Sequence, residues 1–371
     1  MNKTKILIIL ILSCSNSFGQ EFEKYKSKQK HSDKIIGIAT NDDFFATSSY
    51  DKSLIVWNYE GKVIYKYKLT DGKINSMEFV QNSSSLLVGL TIKDNSEVKS
   101  HIIKCLDISG TLKFELIDTT LTQEQVDNYY KENTVSVQNA ISNVSDRFPE
   151  LDIQKEIGTP QTKNRLSHFE LVQDIDISPN NISIASIDKF NILKIWDSNG
   201  KFIKKSNIVN NRKDTEIYYL SDSTLFITPN IILDIETFNF NTISGFEKYA
   251  SIPFGEMIYF HFDYNIDSRK EKLYNITNSE LKEFDSKEYY TFFASKSKDN
   301  LALLGFDGLI RVINQNGELL STFGKDRNEW TTFRGEKFKL YSKICKIGFS
   351  PNGQYIISGN ENGKVIIWKN K

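Results

Sequence analysis

The stretch SYDKSLIVWNYEGKV, residues 49–63, shows the pattern that organises this chain. A polar turn carrying Asp51 is followed by an apolar strand that ends on Trp57, and a turn with Gly61 starts the next strand. The pattern returns at three further pairs of residues: Asp307 and Ile313, Asn362 and Trp368, and Asp188 and Trp196. The first two pairs keep the six-residue spacing from Asp51 to Trp57, whereas the third has eight, which we interpret as a two-residue insertion. A spacing that recurs through a chain predicts a repeat architecture.

The composition is that of a folded protein with a large core. The chain has 371 residues, of which 39% are hydrophobic and 12% aromatic. Lys plus Arg and Asp plus Glu each number 47, so the formal net charge is zero. A neutral chain has no overall basic field to attract a polyanion, and we therefore expect no nucleic-acid partner.

The first twenty residues are typical of an export signal rather than of the fold. Lys3 and Lys5 precede an apolar run at 6–12, and small or polar residues follow. We predict a signal peptide at 1–20, cleaved near Gly19 or Gln20, and a periplasmic or secreted protein. In the alternative interpretation, residues 11–14 form a lipoprotein box and leave a lipid anchor on Cys14. No other run is long and apolar enough to predict a transmembrane segment.

From residue 34 onward, short runs of β-branched and aromatic residues alternate with polar turns, which predicts antiparallel meanders. Seven units of about 39 residues remain when 118–167 and 325–341 are set aside, close to the 40–45 of a propeller blade. We therefore predict an all-β, seven-bladed propeller of four-stranded blades over 21–371. The seventh unit is one strand short. Because an open ring would expose strand edges, we expect Phe22 to Lys28 to close the last blade.

Two stretches depart from the meander and are predicted to be insertions. The first, 118–167, contains the capping-box sequence Thr122-Gln123-Glu124-Gln125, followed by apolar residues at near-helical spacing. It is expected to be partly helical, with one helix or two short ones. The second, 325–341, is polar and aromatic and is expected to be a loop between units six and seven.

The repeated residues resemble those of the WD-repeat family, in which the third strand of a blade ends in Trp-Asp, as at Trp196-Asp197. That resemblance implies a buried set of His, Ser, Asp and Trp in each complete blade. Two blades match in full: His31, Ser49, Asp51 and Trp57, and then His168, Ser186, Asp188 and Trp196. Units two, four and five keep almost nothing of the motif, so the repeats are degenerate.

A His–Asp–Ser set also suggests a catalytic triad, but the chemistry of the sets favours a structural role. Buried His and Asp side chains need partners, and here each supplies the other. The set also occurs twice, with Ser two residues before Asp. The chain lacks His or Cys pairs at metal-ligand spacing and a Gly-rich phosphate loop, so we expect no metal, no cofactor and no catalysis. The alternative is an exported hydrolase or lyase with a site over the central channel.

Loop lengths indicate where a partner binds. The four strands of a blade are named a to d from the axis of the ring outward. In this fold the d–a and b–c connections lie on one face, and the a–b and c–d connections lie on the other. The long connections 118–167, 325–341, 93–100 and 265–270 all belong to the first set. Length drift without function would give the same pattern, but long loops more often serve binding. We therefore expect a monomeric scaffold that binds a protein partner through this face. The candidate contact residues are Tyr50, Ile187, Phe306 and Trp330.

Overall fold

The computed structural model describes residues 21–94, 97–122, 124–125, 167–208, 214–247, 249–262, 270–285, 291–305, 308–324, 329–333, 336–340 and 344–371. These residues form seven four-stranded antiparallel sheets arranged as the blades of a ring, and one further two-stranded sheet. The predicted seven-bladed propeller is therefore confirmed. Within each blade the strands are named a to d from the axis outward.

The first three blades follow one another in the chain. Blade 1 contains β2 (Ile35–Thr40), β3 (Phe44–Ser49), β4 (Ser53–Asn58) and β5 (Val63–Lys68). Blade 2 contains β6 (Gly72–Phe79), β7 (Ser85–Asp94), β8 (Glu97–Asp107) and β9 (Leu112–Leu116). Blade 3 contains β10 (Val172–Ile177), β11 (Ser183–Asp188), β12 (Ile192–Asp197) and β13 (Phe202–Asn207).

The next three blades repeat this order. Blade 4 contains β14 (Ile217–Ser221), β15 (Thr224–Ile227), β16 (Ile231–Asp234) and β17 (Phe240–Thr242). Blade 5 contains β18 (Tyr249–Phe254), β19 (Met257–Phe262), β20 (Lys270–Asn275) and β21 (Leu281–Asp285). Blade 6 contains β22 (Thr291–Lys296), β23 (Asn300–Gly305), β24 (Leu309–Asn314) and β25 (Leu319–Gly324).

Blade 7 is built from both ends of the described chain. Its strands a to c are β28 (Ile344–Phe349), β29 (Tyr355–Asn360) and β30 (Lys364–Asn370), and its outer strand is β1 (Phe22–Gln29). Strand β1 pairs antiparallel with β30, from Phe22 opposite Asn370 to Gln29 opposite Lys364. The ring of Phe22 stacks on Phe323 of blade 6 at a centroid distance of 5.1 Å. The predicted closing strand is therefore in place and also buries an aromatic side chain at the seam.

The hydrophobic core is distributed round the ring. Seven clusters of buried side chains occur among the described residues, and each is built mainly from two neighbouring blades. The side chains of a strand point alternately to the two sides of its sheet. In strand c both sides face a neighbouring blade, so β4 is almost entirely buried. In strand d alternate side chains reach solvent, as in β5.

The two predicted insertions have different outcomes. The insertion at 325–341 contains a β-hairpin of β26 (Glu329–Phe333) and β27 (Glu336–Leu340). The prediction that this insertion is a loop was therefore wrong. At 118–167 only the two ends are described. Thr122 and Gln125 form the capping box, in which each backbone N–H donates to the other side chain at 3.0 and 3.2 Å. The helical prediction for 126–166 lies outside the described residues.

The face formed by the a–b and c–d connections, which we call the short-turn face, is held together by hydrogen bonds between blades. Asn41 bonds Ser83 across blades 1 and 2, and Asn181 bonds Gln81 across blades 2 and 3. Three further pairs join blades 3 and 4, 6 and 7, and 7 and 1: Asn180 with Asp222, Lys298 with Pro351, and Asn352 with Asp42. The a–b turns thus tie neighbouring blades together on this side.

The opposite face carries the d–a and b–c connections and is called the loop-rich face. In blade 1 the two kinds of connection touch, since Leu69 N–H donates to the Lys52 carbonyl and the Lys52 ammonium lies 3.2 Å from Asp71. In blade 2 the predicted loop at 93–100 is largely strand, because β7 and β8 remain paired out to Asp94 and Glu97. The predicted loop at 265–270 lies outside the described residues, apart from Lys270, the first residue of β20.

Candidate functional site

The buried polar set of blade 1 centres on His31. Its Nε2 lies 2.8 Å from the Thr47 hydroxyl, which also accepts a 2.9 Å hydrogen bond from the Trp57 indole N–H. Its Nδ1 lies 3.3 Å from the Asp51 carboxylate and 2.9 Å from the Ser53 hydroxyl. The His31 imidazole is therefore bonded on both nitrogens and packed inside the blade. An imidazole with both nitrogens bonded inside the blade has a structural role and is not placed to contact a substrate.

The hydroxyl in this set belongs to Thr47 and not to Ser49, which corrects the sequence prediction. The Ser49 hydroxyl instead donates to the Asp33 carbonyl at 2.8 Å. Strand pairing explains the difference, because Thr47 lies opposite Ile55 whereas Ser49 lies at the end of β3, opposite Ile35. The number of residues before tryptophan would have identified the hydroxyl, since Thr47 precedes Trp57 by ten residues, as Ser186 precedes Trp196.

Blade 3 contains the same contacts with all four predicted residues. His168 Nε2 lies 2.8 Å from the Ser186 hydroxyl, which accepts a 2.8 Å hydrogen bond from the Trp196 indole. His168 Nδ1 lies 3.0 Å from the Asp188 carboxylate. Blade 7 keeps part of the arrangement, because the Trp368 indole donates to Ser358, again ten residues earlier.

The expected two-residue insertion in blade 3 is absent. Three residues separate strands b and c in blade 1, at 50–52, and three separate them in blade 3, at 189–191. Asp188 is the last residue of β11 and corresponds in position to Ser49, whereas Asp51 lies two residues further on, in the turn. The carboxylate therefore reaches the imidazole from two different backbone positions, and the spacing changed without any change in loop length.

The imidazole and carboxylate pKa values reflect burial and pairing. Burial lowers the pKa of His31 and of His168, and the neighbouring aspartates oppose that shift. Burial alone would raise the pKa of Asp51, but hydrogen bonds from Ser53 and Ser32 and the His31 ring lower it to about 2. At neutral pH the blade 1 set therefore holds a neutral imidazole beside the ionised Asp51 carboxylate, and the His168 imidazole of blade 3 is neutral as well.

A buried ion pair lies beside the blade 3 set, at the seam with blade 2. The Lys194 ammonium, in the middle of β12, is 2.6 Å from the Asp118 carboxylate and 2.7 Å from the Ser167 carbonyl. Burial lowers the pKa of Lys194, and hydrogen bonds from Lys194 and Thr120 hold the pKa of Asp118 below its usual value against the effect of burial. Lys194 thus joins the two ends of the 118–167 insertion to blade 3. This ion pair could not be predicted from the sequence, because the two charges are 76 residues apart.

Next to this pair, the backbones of blades 2 and 3 are joined through His101. His101 pairs with His168 in an isolated β-bridge, and its carbonyl accepts a 3.0 Å hydrogen bond from Ser167 N–H. Its Nδ1 lies 3.0 Å from the Thr91 hydroxyl. Burial, with a smaller contribution from His168, lowers the pKa of His101 to about 4.

Charged groups of the innermost strands converge at the centre of the ring. Blades 2, 3 and 4 supply four carboxylates, from Glu78, Asp174, Asp176 and Glu216. Asp174 accepts a 2.8 Å hydrogen bond from Ile217 N–H, and Asp176 accepts one of 2.5 Å from Tyr219 N–H. These two carboxylates therefore satisfy backbone donors on the inner strand of the next blade, which is a structural use.

Two lysines face these carboxylates from blades 6 and 7. Lys296 lies over the Tyr218 ring at 4.7 Å, and Lys346 lies over the Phe293 ring at 4.0 Å. Burial and neighbouring carboxylates raise the pKa of Glu78 and of Asp174, and burial lowers the pKa of Lys346. The channel is thus a place where protonation of a carboxylate is favoured. Among the described residues no group of His, Cys, Asp and Glu has the arrangement of a metal site.

The predicted contact residues of the loop-rich face have different positions. Tyr50, in the b–c turn of blade 1, is 54% exposed. Ile187 is fully buried in the core between blades 3 and 4, so its prediction as a contact residue was wrong. Phe306 lies outside the described residues, and Trp330 belongs to strand β26.

The misplaced residue follows from the shifted aspartate. Ile187 was chosen because it directly precedes Asp188, as Tyr50 directly precedes Asp51. In blade 3, however, the b–c turn begins only after that aspartate, at residue 189. The aromatic side chain that blade 3 does expose is Phe190, in its b–c turn, with 52% of its surface accessible. Tyr50 and Phe190 are therefore the exposed aromatic residues that the described b–c turns contribute to this face.

A family model described as "WD domain, G-beta repeat" matches residues 23–58 and 331–369. The first match covers most of β1 and the first three strands of blade 1, and the second covers strands a and b of blade 7 and nearly all of its strand c. Together with the seven-bladed ring, these matches decide the family. The chain is a WD-repeat protein. No curated protein matches this WD-repeat chain significantly. No helix within its described residues is both long and apolar enough to span a bilayer.

Proposed function

We propose that this WD-repeat protein is an exported, non-catalytic scaffold that binds a protein partner through its loop-rich face. WD-repeat propellers in general mediate protein interactions, which supports the class of function. The observation that carries the choice of face is the exposure of Tyr50 and Phe190 on the side of the ring that also bears the long connections. Aromatic side chains are enriched among the residues that contribute most to interface energies.

The opposite face is less suited to a partner. Its a–b turns use their side chains and backbone groups to bond neighbouring blades, as Asn41 does with Ser83 and Asn352 with Asp42. A partner on that side would have to compete with those bonds. On the loop-rich face the insertion at 118–167 is fixed at both ends by Lys194, which gives a binding segment a rigid base. Pre-organised attachment of this kind reduces the entropy lost on binding.

The proposed location outside the cytoplasm rests on the first twenty residues alone. A charged start, an apolar core at 6–12 and a small-residue end favour a cleaved signal peptide. A lipid on Cys14 is the alternative and would keep the protein at a membrane surface. Mass spectrometry of the mature protein distinguishes the two, because cleavage near Gly19 leaves a different first residue and no lipid mass.

The proposed face can be tested with two charge-matched variants. Tyr50→Asp with Phe190→Asp alters the loop-rich face, and Ile182→Asp with Leu319→Asp alters exposed apolar residues at the short-turn side. Both variants and the unaltered mature chain are used to capture proteins from an envelope fraction of the source cells, and captured proteins are identified by mass spectrometry. A partner lost only with the first variant supports the proposal. A partner lost only with the second, or with neither, contradicts it.

A third variant addresses the insertion. Replacing residues 123–164 with a short Gly-Ser linker keeps Asp118, Ser167 and the Lys194 bonds that join them. A flexible linker can connect two ends that are already held together. We expect this variant to melt near the temperature of the full chain and to lose the partner. Full retention of the partner would show that the insertion is not part of the binding surface.

A second candidate function, hydrolase or lyase chemistry over the central channel, has one observation in its favour. Burial, together with neighbouring carboxylates, raises the pKa values of Glu78 and Asp174, as a general acid requires. Against it, Asp174 and Asp176 accept backbone N–H groups of the next blade. Glu78→Gln is the direct test, since hydrolysis of any chromogenic substrate at this site would fall at least about a hundredfold. Unchanged hydrolysis would remove the channel from consideration.

A further inference from the structure

The outer edge of the ring is unevenly charged. The outer strands of blades 7 and 1, β1 and β5, carry five lysines between them, and Lys30 and Lys62 lie immediately beside these strands. The outer strands of blades 4 and 6, β17 and β25, carry none. Lysine on an edge strand commonly prevents edge-to-edge pairing, and that purpose would apply to every blade alike. Strand β13 of blade 3 also carries two lysines, so what distinguishes blades 7 and 1 is that their lysine-bearing outer strands are neighbours in the ring.

Strand pairing places three of these lysines at the same seam. Lys28 lies opposite Val365 in blade 7, and Lys66 lies opposite Ile55 in blade 1. Val365 and Ile55 belong to one buried cluster between the two blades. Directly paired residues in a sheet project to the same side, so Lys28 and Lys66 both face this seam, as does Lys68 two residues further along β5.

The Lys28 side chain of β1 also reaches the turn that precedes β5. A Cβ atom on Gly61, in the turn before β5, would lie only 3.2 Å from the Cε atom of Lys28. Lys28, Lys66 and Lys68 are all exposed, and we call the surface that they share along this seam the lysine groove. Ile64 precedes Lys66 by two residues on β5, so its side chain projects to the same side, and it is 37% exposed.

The charges of the groove are not neutralised within the part of the chain that the structure describes. Lys26, at the same seam, is paired with Glu60 at 3.2 Å. No carboxylate of the described residues forms an ion pair with Lys28, Lys66 or Lys68. In a chain with equal numbers of acidic and basic residues, three ammonium groups without an ion pair along one seam are a local excess of positive charge.

We propose that the lysine groove binds an extended acidic segment of a partner protein. Alternate residues of an extended strand are about 6.6–6.8 Å apart. Lys66 and Lys68 present ammonium groups at that repeat, and Ile64 precedes them on the same side. A segment with an apolar residue and then carboxylates at alternate positions would match all three side chains. This surface lies on the outer side of the ring and is independent of the loop-rich face.

The test uses the folded mature chain and a fluorescent twelve-residue peptide in which glutamate alternates with valine. Binding is measured by fluorescence anisotropy at low and at moderate salt. We expect binding that weakens as salt rises, because the attraction is between exposed charges. The variant Lys28→Glu, Lys66→Glu, Lys68→Glu should bind at least about tenfold more weakly, since three exposed pairs are lost. A peptide with glutamine for glutamate should not bind.

A matched control carries the same change in charge elsewhere. Lys189→Glu, Lys201→Glu, Lys298→Glu reverses three exposed lysines on blades 3 and 6. Its affinity for the acidic peptide should stay within about twofold of the unaltered chain, because these sites lie far from the groove. Thermal melts establish that both variants are folded, and glutamine replacements at the same positions serve if charge reversal prevents folding.

Three results would overturn the proposal. Equal loss of affinity in the two variants would mean that the peptide responds only to net charge. Absence of measurable peptide binding at low salt would remove the groove as an acidic-segment site. Binding of phosphatidylglycerol vesicles that depends on the three lysines, without peptide binding, would assign the groove to an anionic membrane instead.

Discussion

The buried polar sets of blades 1 and 3 make the same contacts from different backbone positions. In blade 1 the carboxylate comes from Asp51 in the turn, and Ser53 gives the His31 Nδ1 atom a second neighbour at 2.9 Å. In blade 3 it comes from Asp188 at the end of strand b, whose other oxygen accepts from Phe190 N–H and Ile192 N–H at 2.9 and 3.0 Å. What the repeat preserves is an acceptor at the imidazole, and the residue that supplies it can move by two positions.

The surroundings of the two sets differ more than the sets themselves. Blade 3 adds the Lys194–Asp118 pair and has His101 of blade 2 as its neighbour, so several ionisable groups are buried at one seam. Blade 1 has no counterpart of Lys194 among the described residues, because the equivalent position in strand c is Ile55. The blade 3 seam should therefore be the more sensitive of the two to loss of a charge and to pH.

The largest expected effect is at Lys194. Lys194→Met removes a buried ammonium and leaves the Asp118 carboxylate uncompensated, which should lower the free energy of unfolding by about 3–5 kcal/mol. Urea titration followed by circular dichroism measures it. Adding Asp118→Asn should recover part of the loss, since the buried charge is then absent. Lys201→Met, at an exposed lysine of the same blade, should change stability by no more than about 0.5 kcal/mol. A similarly small loss for Lys194→Met would mean that the pair is not formed.

The second effect is a loss of stability at mildly acidic pH. The pKa of His101 is lowered to about 4, whereas an unfolded histidine has a pKa near 6.5. Between those values the unfolded chain binds more protons, so stability falls as pH falls, by on the order of 3 kcal/mol in total. Unfolding curves between pH 7 and pH 4 should show this decline. In His101→Gln the decline should be shallower, and an identical slope would exclude His101 as its source.

The third comparison substitutes the two aspartates. Asp188→Ala should cost about 3 kcal/mol, because it deprives the buried His168 ring of its carboxylate. Asp51→Ala should cost about 1 kcal/mol, since the Ser53 hydroxyl remains at 2.9 Å from His31 Nδ1. Chemical denaturation of both variants in parallel gives the difference. Equal losses, or the reverse order, would show that Ser53 does not compensate for Asp51.

The smallest effect separates two neighbouring hydroxyls of blade 1. Thr47→Val should lower stability by about 1–2 kcal/mol, because the Trp57 indole and the His31 ring both lose a partner. Ser49→Ala should cost about 0.5–1 kcal/mol, since it removes the hydrogen bonds to the Asp33 carbonyl and from Asp51 N–H but leaves the His31 and Trp57 contacts in place. Thermal melts of the two single variants rank them directly. A larger loss for Ser49→Ala would restore Ser49 as the hydroxyl of the set.

Much of the architecture could be predicted because repeats put the same local information in the chain many times. The seven units and the closing strand at Phe22–Gln29 follow from spacing and alternation, and the resemblance to the WD-repeat family implied the two histidine sets. The errors concerned the hydroxyl of the blade 1 set and the contact residue of blade 3, and both positions had been inferred from their distance to an aspartate. Counting from aspartate selected Ser49 and Ile187, whereas counting from tryptophan would have selected Thr47. The tryptophan lies inside a paired strand, so its register is fixed, but a turn aspartate can shift without disturbing any pair.

The sequence by itself determined the ring, because alternating apolar residues with regular turns can bury their surface only when small sheets pack on two neighbours. Only the tertiary structure decided which distant groups meet. It brought Lys194 to Asp118 and Lys28 to the seam beside Lys66, and it tied the short-turn face together blade by blade. The physical reason is that periodicity describes one chain segment at a time, whereas ion pairs and grooves between blades depend on the positions of segments far apart in the sequence.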